Sequence, residues 1–240
     1  MYTLHYAPDN ASLIIRLVLE EAGLPYRTAL VDRRTDAQNS AAYRAINPAG
    51  LIPALETPDG PLFETAAILL WLSDRHDLGP KPDAAARGTF LKWLFFISNT
   101  VHADLRQLFY PQQYVPADAT AGHHALLSAR MKRHFTLLDH AAAEHADLFA
   151  PQSILTCYLA PLMRWAVLYP AGQKPWFDLH SYPHLDPPCE ITGNPPCNPA
   201  LRPCRRAGPN PVHRAHLCHT ARRQRAKTPK PWLALPPNAP

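Results

Sequence analysis

The chain has 240 residues, 47% of them hydrophobic, which is enough apolar side chain for one or two ordinary cores. No window approaches the roughly eighteen uninterrupted apolar residues of a membrane span, and the start MYTLHYAPD lacks the basic, apolar, small-residue order of a secretion signal, so a soluble, cytoplasmic protein with no membrane partner is expected. The net charge of +5 divides unevenly, with nine Lys and Arg against two acids in residues 186–240 and fifteen against seventeen in residues 1–185; the body is slightly acidic and nucleic acid is not an expected partner.

YTLHY (2–6) predicts a strand, SLIIRLVLEEAG (12–23) an amphipathic helix stopped by Gly23, and YRTALVD (26–32) a second strand, together one βαβ unit. A polar stretch follows. LIPALET (51–57), the turn PDG and PLFE (61–64) then predict a hairpin, and AAILLWLSDRH (66–76) a helix. The order βαβ then ββα is a small mixed sheet covered by helices. The proline-bearing segment DLGPKPD (77–83) reads as a linker. Beyond it Phe90, Leu94, Ile97 and Val101, then Leu127, Met131, Phe135 and Leu138, repeat at helical spacing, and SILTCYLAPLMRWAVLY (153–169) predicts a further helix. Cys157 is the one cysteine of the body, so a disulfide framework there is excluded by count.

Proline has no N–H for a strand ladder, and X-Pro is the peptide bond that readily adopts cis, so Ile52-Pro53 suits a strand that turns a free edge toward a ligand. The run NPAGLIPALETPDGPLFET (47–65), the segment YAPDNASLIIRLVLEEAGLPY (6–26) and the switch to helices resemble the cytosolic glutathione transferase superfamily of bacterial type over residues 1 to about 185. The resemblance implies an α+β thioredoxin-like N-terminal domain (1–78) that binds glutathione, followed by an all-α helical bundle domain (84–185), with an irregular or disordered C-terminal tail (186–240). It implies a glutathione S-transferase enzyme, with glutathione as co-substrate, no metal, a small electrophilic substrate and a homodimer.

Residue by residue, the resemblance gives Ile52 the backbone contact to the cysteinyl part of glutathione, with Pro53 holding the geometry. It gives Glu64 and Thr65 the γ-glutamyl end, which suits a hydroxyl and free N–H groups at a helix N-terminus. Taken singly, Thr65 reads equally well as a plain helix N-cap and Pro53 as a turn residue. The chemistry falls to YAPDNAS (6–12). A thiol ionises near pH 8.5, and a donor beside a helix N-terminus lowers that value. Ser12 and Asn10 are both candidates for holding the thiolate, Ser12 being placed first, although it also reads as an N-cap. Where the beta class carries a cysteine, this chain has Ala11, which argues against a mixed disulfide with the protein.

Two departures stand out. The lysine that meets the glycine carboxylate in many relatives is Leu51 here, so Arg34 becomes the candidate for that role. The usual serine and aspartate pair opening a helix of the second domain is Ser153 and Thr156 here, and the loss of the charged half predicts up to about 1 kcal/mol less stability. In VHADLRQLFYP (101–111), Arg106, Phe109 and Tyr110, with Tyr114 beyond, resemble an electrophile pocket, although helical spacing alone reads Phe109 as core and Arg106 as solvated surface. His102 with Asp104, and His123 with His124, lack a third ligand at fixed spacing and read as surface. The tail, with thirteen prolines and no amphipathic period, is expected to be disordered and reads as a departure from the family's reading frame near Leu185; Cys189, Cys197, Cys204 and Cys218 match no ordinary zinc pairing. A non-catalytic relative acting through protein–protein contacts is the alternative function.

Overall fold

The structure, a computed structural model, describes residues 1–169 and 175–185. Its sheet has the strand order β2-β1-β3-β4, formed by β1 (Tyr2–Tyr6), β2 (Tyr26–Leu30), β3 (Ala54–Thr57) and β4 (Gly60–Phe63). β1 and β2 are parallel; β3 runs antiparallel to both β1 and β4, with Leu4 opposite Leu55 and Leu55 opposite Leu62. This is the α+β mixed sheet expected from the sequence.

Helix α1 (Ser12–Glu21) buries Ile14, Ile15, Val18 and Leu19 between the sheet, the helix Thr65–His76 and the helical half. Each such side chain, fully buried, contributes about 1.5–3 kcal/mol. The helix ends through Gly23, whose φ of +64° lets the N–H of Leu24 reach back to the Leu19 carbonyl at 2.9 Å. The polar stretch is not structureless. It holds two short 3₁₀ turns and the one-turn helix α2 (Ala41–Arg44), capped by the Ser40 hydroxyl, which accepts from the Tyr43 N–H. Helix α3 (Thr65–His76) follows β4 directly.

The rest of the described chain is helical. α4 (Arg87–Phe96) runs through a π turn (Ile97–His102) into α5 (Ala103–Phe109), and α6 (Thr120–Glu144) and α7 (Ile154–Leu168) complete the set. One continuous apolar core joins the two halves: Ile14, Leu55 and Leu72 share it with Leu94, Leu105, Phe135, Leu155 and Leu159. Ser153 caps α7 as expected, accepting from the Thr156 N–H at 3.2 Å. The Thr156 hydroxyl turns instead to the Phe149 carbonyl at 2.9 Å and ties the preceding loop to the helix. The expectations for residues 186–240, including Cys189 to Cys218, lie outside the described residues.

Candidate active site

A cleft of about 700 Å³ opens between the sheet and the helical half. On the sheet side it is walled by the loop before α1, the loop before β3 and the β4–α3 junction. On the helical side it is walled by the π turn, α5 and the end of α7. Asn10, Ile52, Pro53, Glu64, Thr65, Arg106, Phe109 and Tyr110 all line it, so residues scattered over a hundred positions of sequence converge there.

The Ile52-Pro53 peptide is cis. Pairing of β3 begins at Ala54, so Ile52 stands outside the ladder. Two residues that the sequence reading left without a role fix this peptide. The Tyr43 hydroxyl and the Asn47 side-chain amide each donate to the Leu51 carbonyl at 2.7 Å, while Asn47 Oδ1 accepts from the Ala49 N–H at 3.1 Å. In a planar trans peptide the N–H points opposite to the C=O, so the Ile52 N–H is aimed away from Tyr43 and Asn47. Asn47 is 1% exposed, and a buried amide satisfied at both ends is a rigid support. Burial pushes the Tyr43 phenol up to about 12, so it remains a donor across the physiological range.

Glu64 and Thr65 meet the cleft where β4 turns into α3. Thr65 is the first helical residue and Glu64 is the cap position, so Thr65 is not the N-cap that the plainer reading allowed; the Glu64 side chain makes no capping bond. Glu64 has φ +69° and ψ 116°, a conformation that costs a non-glycine residue on the order of 1–3 kcal/mol and concentrates at ligand sites. The first N–H groups of α3 have no partner within the helix and carry its positive end.

Of the two candidates in the entry loop, Asn10 lines the cleft and Ser12 does not. Ser12 is 2% exposed and does not line the cleft; its hydroxyl donates to the Ala7 carbonyl at 3.2 Å and accepts from the Ala7 N–H at 3.4 Å. It therefore braces the loop, and the cap position of α1 falls at Ala11 instead. Asn10 lines the cleft, and its Oδ1 accepts from the Ser12 N–H at 3.0 Å, which leaves the Nδ2 donors for a ligand. Arg34 is 77% exposed, forms two bonds to Asp32 at 3.0 and 2.9 Å, and lies off the cleft, whereas its neighbour Arg33 lines it.

The helical wall carries groups that the sequence reading took for surface. His102, at the end of the π turn, accepts or donates at Nδ1 with the Tyr158 hydroxyl at 3.1 Å and lines the cleft. Burial, helped by the Arg106 charge, pulls its imidazole down to about 4, so it is neutral at pH 7. Asp104 is 3% exposed and bound to His134 at 2.8 Å and Arg130 at 3.0 Å, a structural cluster between α5 and α6. The Nε2 atoms of His123 and His124 are buried without a partner among the described residues. Arg106 reaches Tyr114 and Gln113, and the ring of Phe109 stands edge-on to Tyr169 at 5.7 Å. Tyr114 itself does not line the cleft. Cys157 is buried in α7 with its thiol pushed up to about 12 by burial, which leaves it unreactive. Among the described residues no group of three or more His, Cys, Asp or Glu is placed to hold a metal ion.

Residues 11–75 match the glutathione S-transferase N-terminal domain family. The chain is 29% identical over 170 residues to the glutathione S-transferase GstA of Escherichia coli, covering 68% of this chain and 81% of that protein. The structure superimposes on a glutathione transferase homologue from Sulfitobacter with bound glutathione, at a TM-score of 0.59 and 25% identity over 77% of this chain and 88% of that one. The chain is thus similar to glutathione transferases in its N-terminal family match, in sequence over 170 residues and in fold. A further relative, the disulfide-bond oxidoreductase YfcG of Escherichia coli, is 36% identical over 103 residues, 40% of this chain and 48% of that protein. An unpaired backbone edge at Ile52 suits strand-like addition of a peptide, and the α3 N-terminus suits an anionic group.

Proposed function

We propose that the protein binds glutathione along the sheet side of the cleft and transfers its sulfur to a small electrophile held against the helices, with residues 1–78 as the glutathione-binding domain and 84–185 as the acceptor domain. The observation that carries this reading is the convergence of a free Ile52 edge, the Glu64–Thr65 helix start and the Asn10 amide on one cleft. The Ile52 backbone meets the cysteinyl part and Pro53 holds the bend. Thr65 and the α3 N-terminus take the γ-glutamyl carboxylate, and Glu64 takes its amine. Arg33, in place of Arg34, supports the glycine carboxylate.

Asn10 Nδ2 donates to the sulfur and, with the positive end of α1, favours the thiolate over the thiol; the proton leaves to solvent. The thiolate then attacks the electrophilic carbon: the C–S bond forms and the leaving group departs with the displaced electron pair. Cys157 takes no part, and the described cleft wall contains no cysteine, so a mixed disulfide with the protein is not an intermediate.

We place the protein in the cytoplasm, in a detoxifying role, as a two-fold dimer that covers exposed apolar side chains such as Phe63 on β4 and Phe95 on α4. No helix among the described residues is long and apolar enough to cross a membrane. The test is retention on immobilised glutathione followed by conjugation of a chloronitrobenzene acceptor. Retention with no conjugation favours the non-catalytic, partner-binding alternative, and no retention removes the glutathione reading altogether.

A further inference from the structure

We propose that the helical side of the cleft selects an acceptor bearing an anionic group beside a flat apolar body, with Arg106 as the residue that reads the charge. The proposal rests on the transferase reading for the co-substrate, and on the geometry of Arg106 for the rest.

Arg106 lines the cleft, and no Asp or Glu among the described residues lies within ion-pair distance of it. Other arginines of the structure, Arg34, Arg87, Arg130 and Arg164 among them, each face a carboxylate. Arg106 faces neutral acceptors instead: its guanidinium donates to the Tyr114 hydroxyl at 2.6 Å and to Gln113 Oε1 at 3.2 Å, and lies 6.0 Å from the Tyr114 ring centre. These contacts orient the fork without cancelling its charge, and the remaining N–H groups are left to bind an anion side by side.

The carboxylates of the cleft do not compete for this charge. Asp9 is taken by Arg164, Trp165 and Tyr169. Glu64 belongs to the opposite wall, at the start of α3. The charge of Arg106 is felt inside the cleft, where it helps to keep His102 neutral. One helical turn along α5 from Arg106, Phe109 packs edge-on against Tyr169, and Tyr110 follows it in the wall, which provides an apolar surface for a ring beside the cation. Arg106 is exposed to solvent as well as lining the cleft, so its charge stands at the mouth, where an entering acceptor meets it.

The test compares chlorodinitrobenzoate with its methyl ester as acceptors for the whole chain, each rate divided by the uncatalysed reaction with glutathione. The expected result is a preference of about tenfold in kcat/KM for the carboxylate, the size of one charge-assisted interaction at a partly wet site. Arg106→Gln should remove this preference, and Arg106→Lys, which keeps the charge and loses the fork, should retain part of it. Tyr114→Phe should lower it by less than Arg106→Gln. A second readout does not need turnover: quenching of tryptophan fluorescence by nitrobenzoate and by methyl nitrobenzoate in the presence of glutathione. Arg106-dependent binding of nitrobenzoate without conjugation of either acceptor would keep the anion site and overturn the transferase reading. Equal normalised rates for acid and ester in the unmutated chain would overturn the anion site while leaving the transferase reading intact. So would an Arg106→Gln effect confined to the KM for glutathione, and so would equal quenching by the two nitrobenzoate probes.

Discussion

The carboxylate of Asp9 meets the guanidinium of Arg164 at 2.5 Å across 155 positions of sequence, and the same carboxylate accepts from Trp165 Nε1 and the Tyr169 hydroxyl at 2.8 Å each. The loop that carries Asn10 is therefore fastened to α7 of the helical half immediately before the residue assigned to the sulfur. Asp9 also has φ +49°, a left-handed conformation that Asp and Asn tolerate better than other residues with a side chain.

Asp9→Asn keeps that backbone preference and removes the charge. With Asp9 and Arg164 side chains only 23% and 18% exposed, losing the charge-assisted bonds should lower unfolding stability by about 2 kcal/mol. Urea unfolding of the variant measures this, and an unchanged midpoint would remove Asp9 from the junction. Conjugation should fall as well, because the anchor holds Asn10 in register.

Asn10→Ala should raise the pKa of bound glutathione's thiol and lower conjugation at neutral pH, with the loss recovered in part as pH rises. The ultraviolet absorbance of the bound thiolate, titrated against pH, reads the shift directly. Ser12→Ala should leave that titration in place and lower stability by about 1 kcal/mol, since it removes the brace on the Ala7 peptide. The opposite pattern would return the thiolate to Ser12.

Most of the architecture was legible in the sequence: YTLHY alternates, the hairpin carries PDG, α1 has a strong apolar face, and α3 follows as a nearly continuous apolar run. The site was legible as a region more than as a set of atoms. Ser12 and Asn10, like Arg33 and Arg34, are near neighbours of similar polarity, and one backbone turn decides which of them faces the cleft. Tyr43 and Asn47 went unread because their role is set by where the Leu51 carbonyl lies, and no periodicity encodes that. His102 and Asp104 looked like surface because their burial depends on Tyr158, His134 and Arg130, which are distant in sequence.

Tyr43→Phe and Asn47→Ala each remove one donor to the Leu51 carbonyl, at about 1 kcal/mol per bond. Part of each loss should appear in glutathione affinity, as a severalfold rise in Kd, because the peptide plane that presents the Ile52 N–H is loosened. The double variant should cost more in glutathione binding than either single one. Titration calorimetry with glutathione decides it; a Kd that tracks only the loss of global stability, with no effect at temperatures where the variants are fully folded, would limit the pair to a structural role.

His102 gives the protein an acid-side weakness whose sign follows from its surroundings. Its imidazole packs on Tyr158 and Trp165 and feels Arg106, and burial with that charge holds it at about 4 in the folded chain, against an ordinary value of 6.5. The unfolded chain therefore binds more protons at this site between those two values. The stability associated with neutral His102 is fully present above about pH 6.5 and is lost as pH falls toward 4, by up to about 3 kcal/mol. His102→Gln removes the titration while keeping a side chain able to bond the Tyr158 hydroxyl. Urea midpoints measured from pH 7 down to about 4 should then fall less steeply for the variant than for the unmutated chain, with the difference concentrated in that window. Parallel curves would mean that the ring stays neutral in neither form, or in both, and would remove His102 as the source of the acid sensitivity.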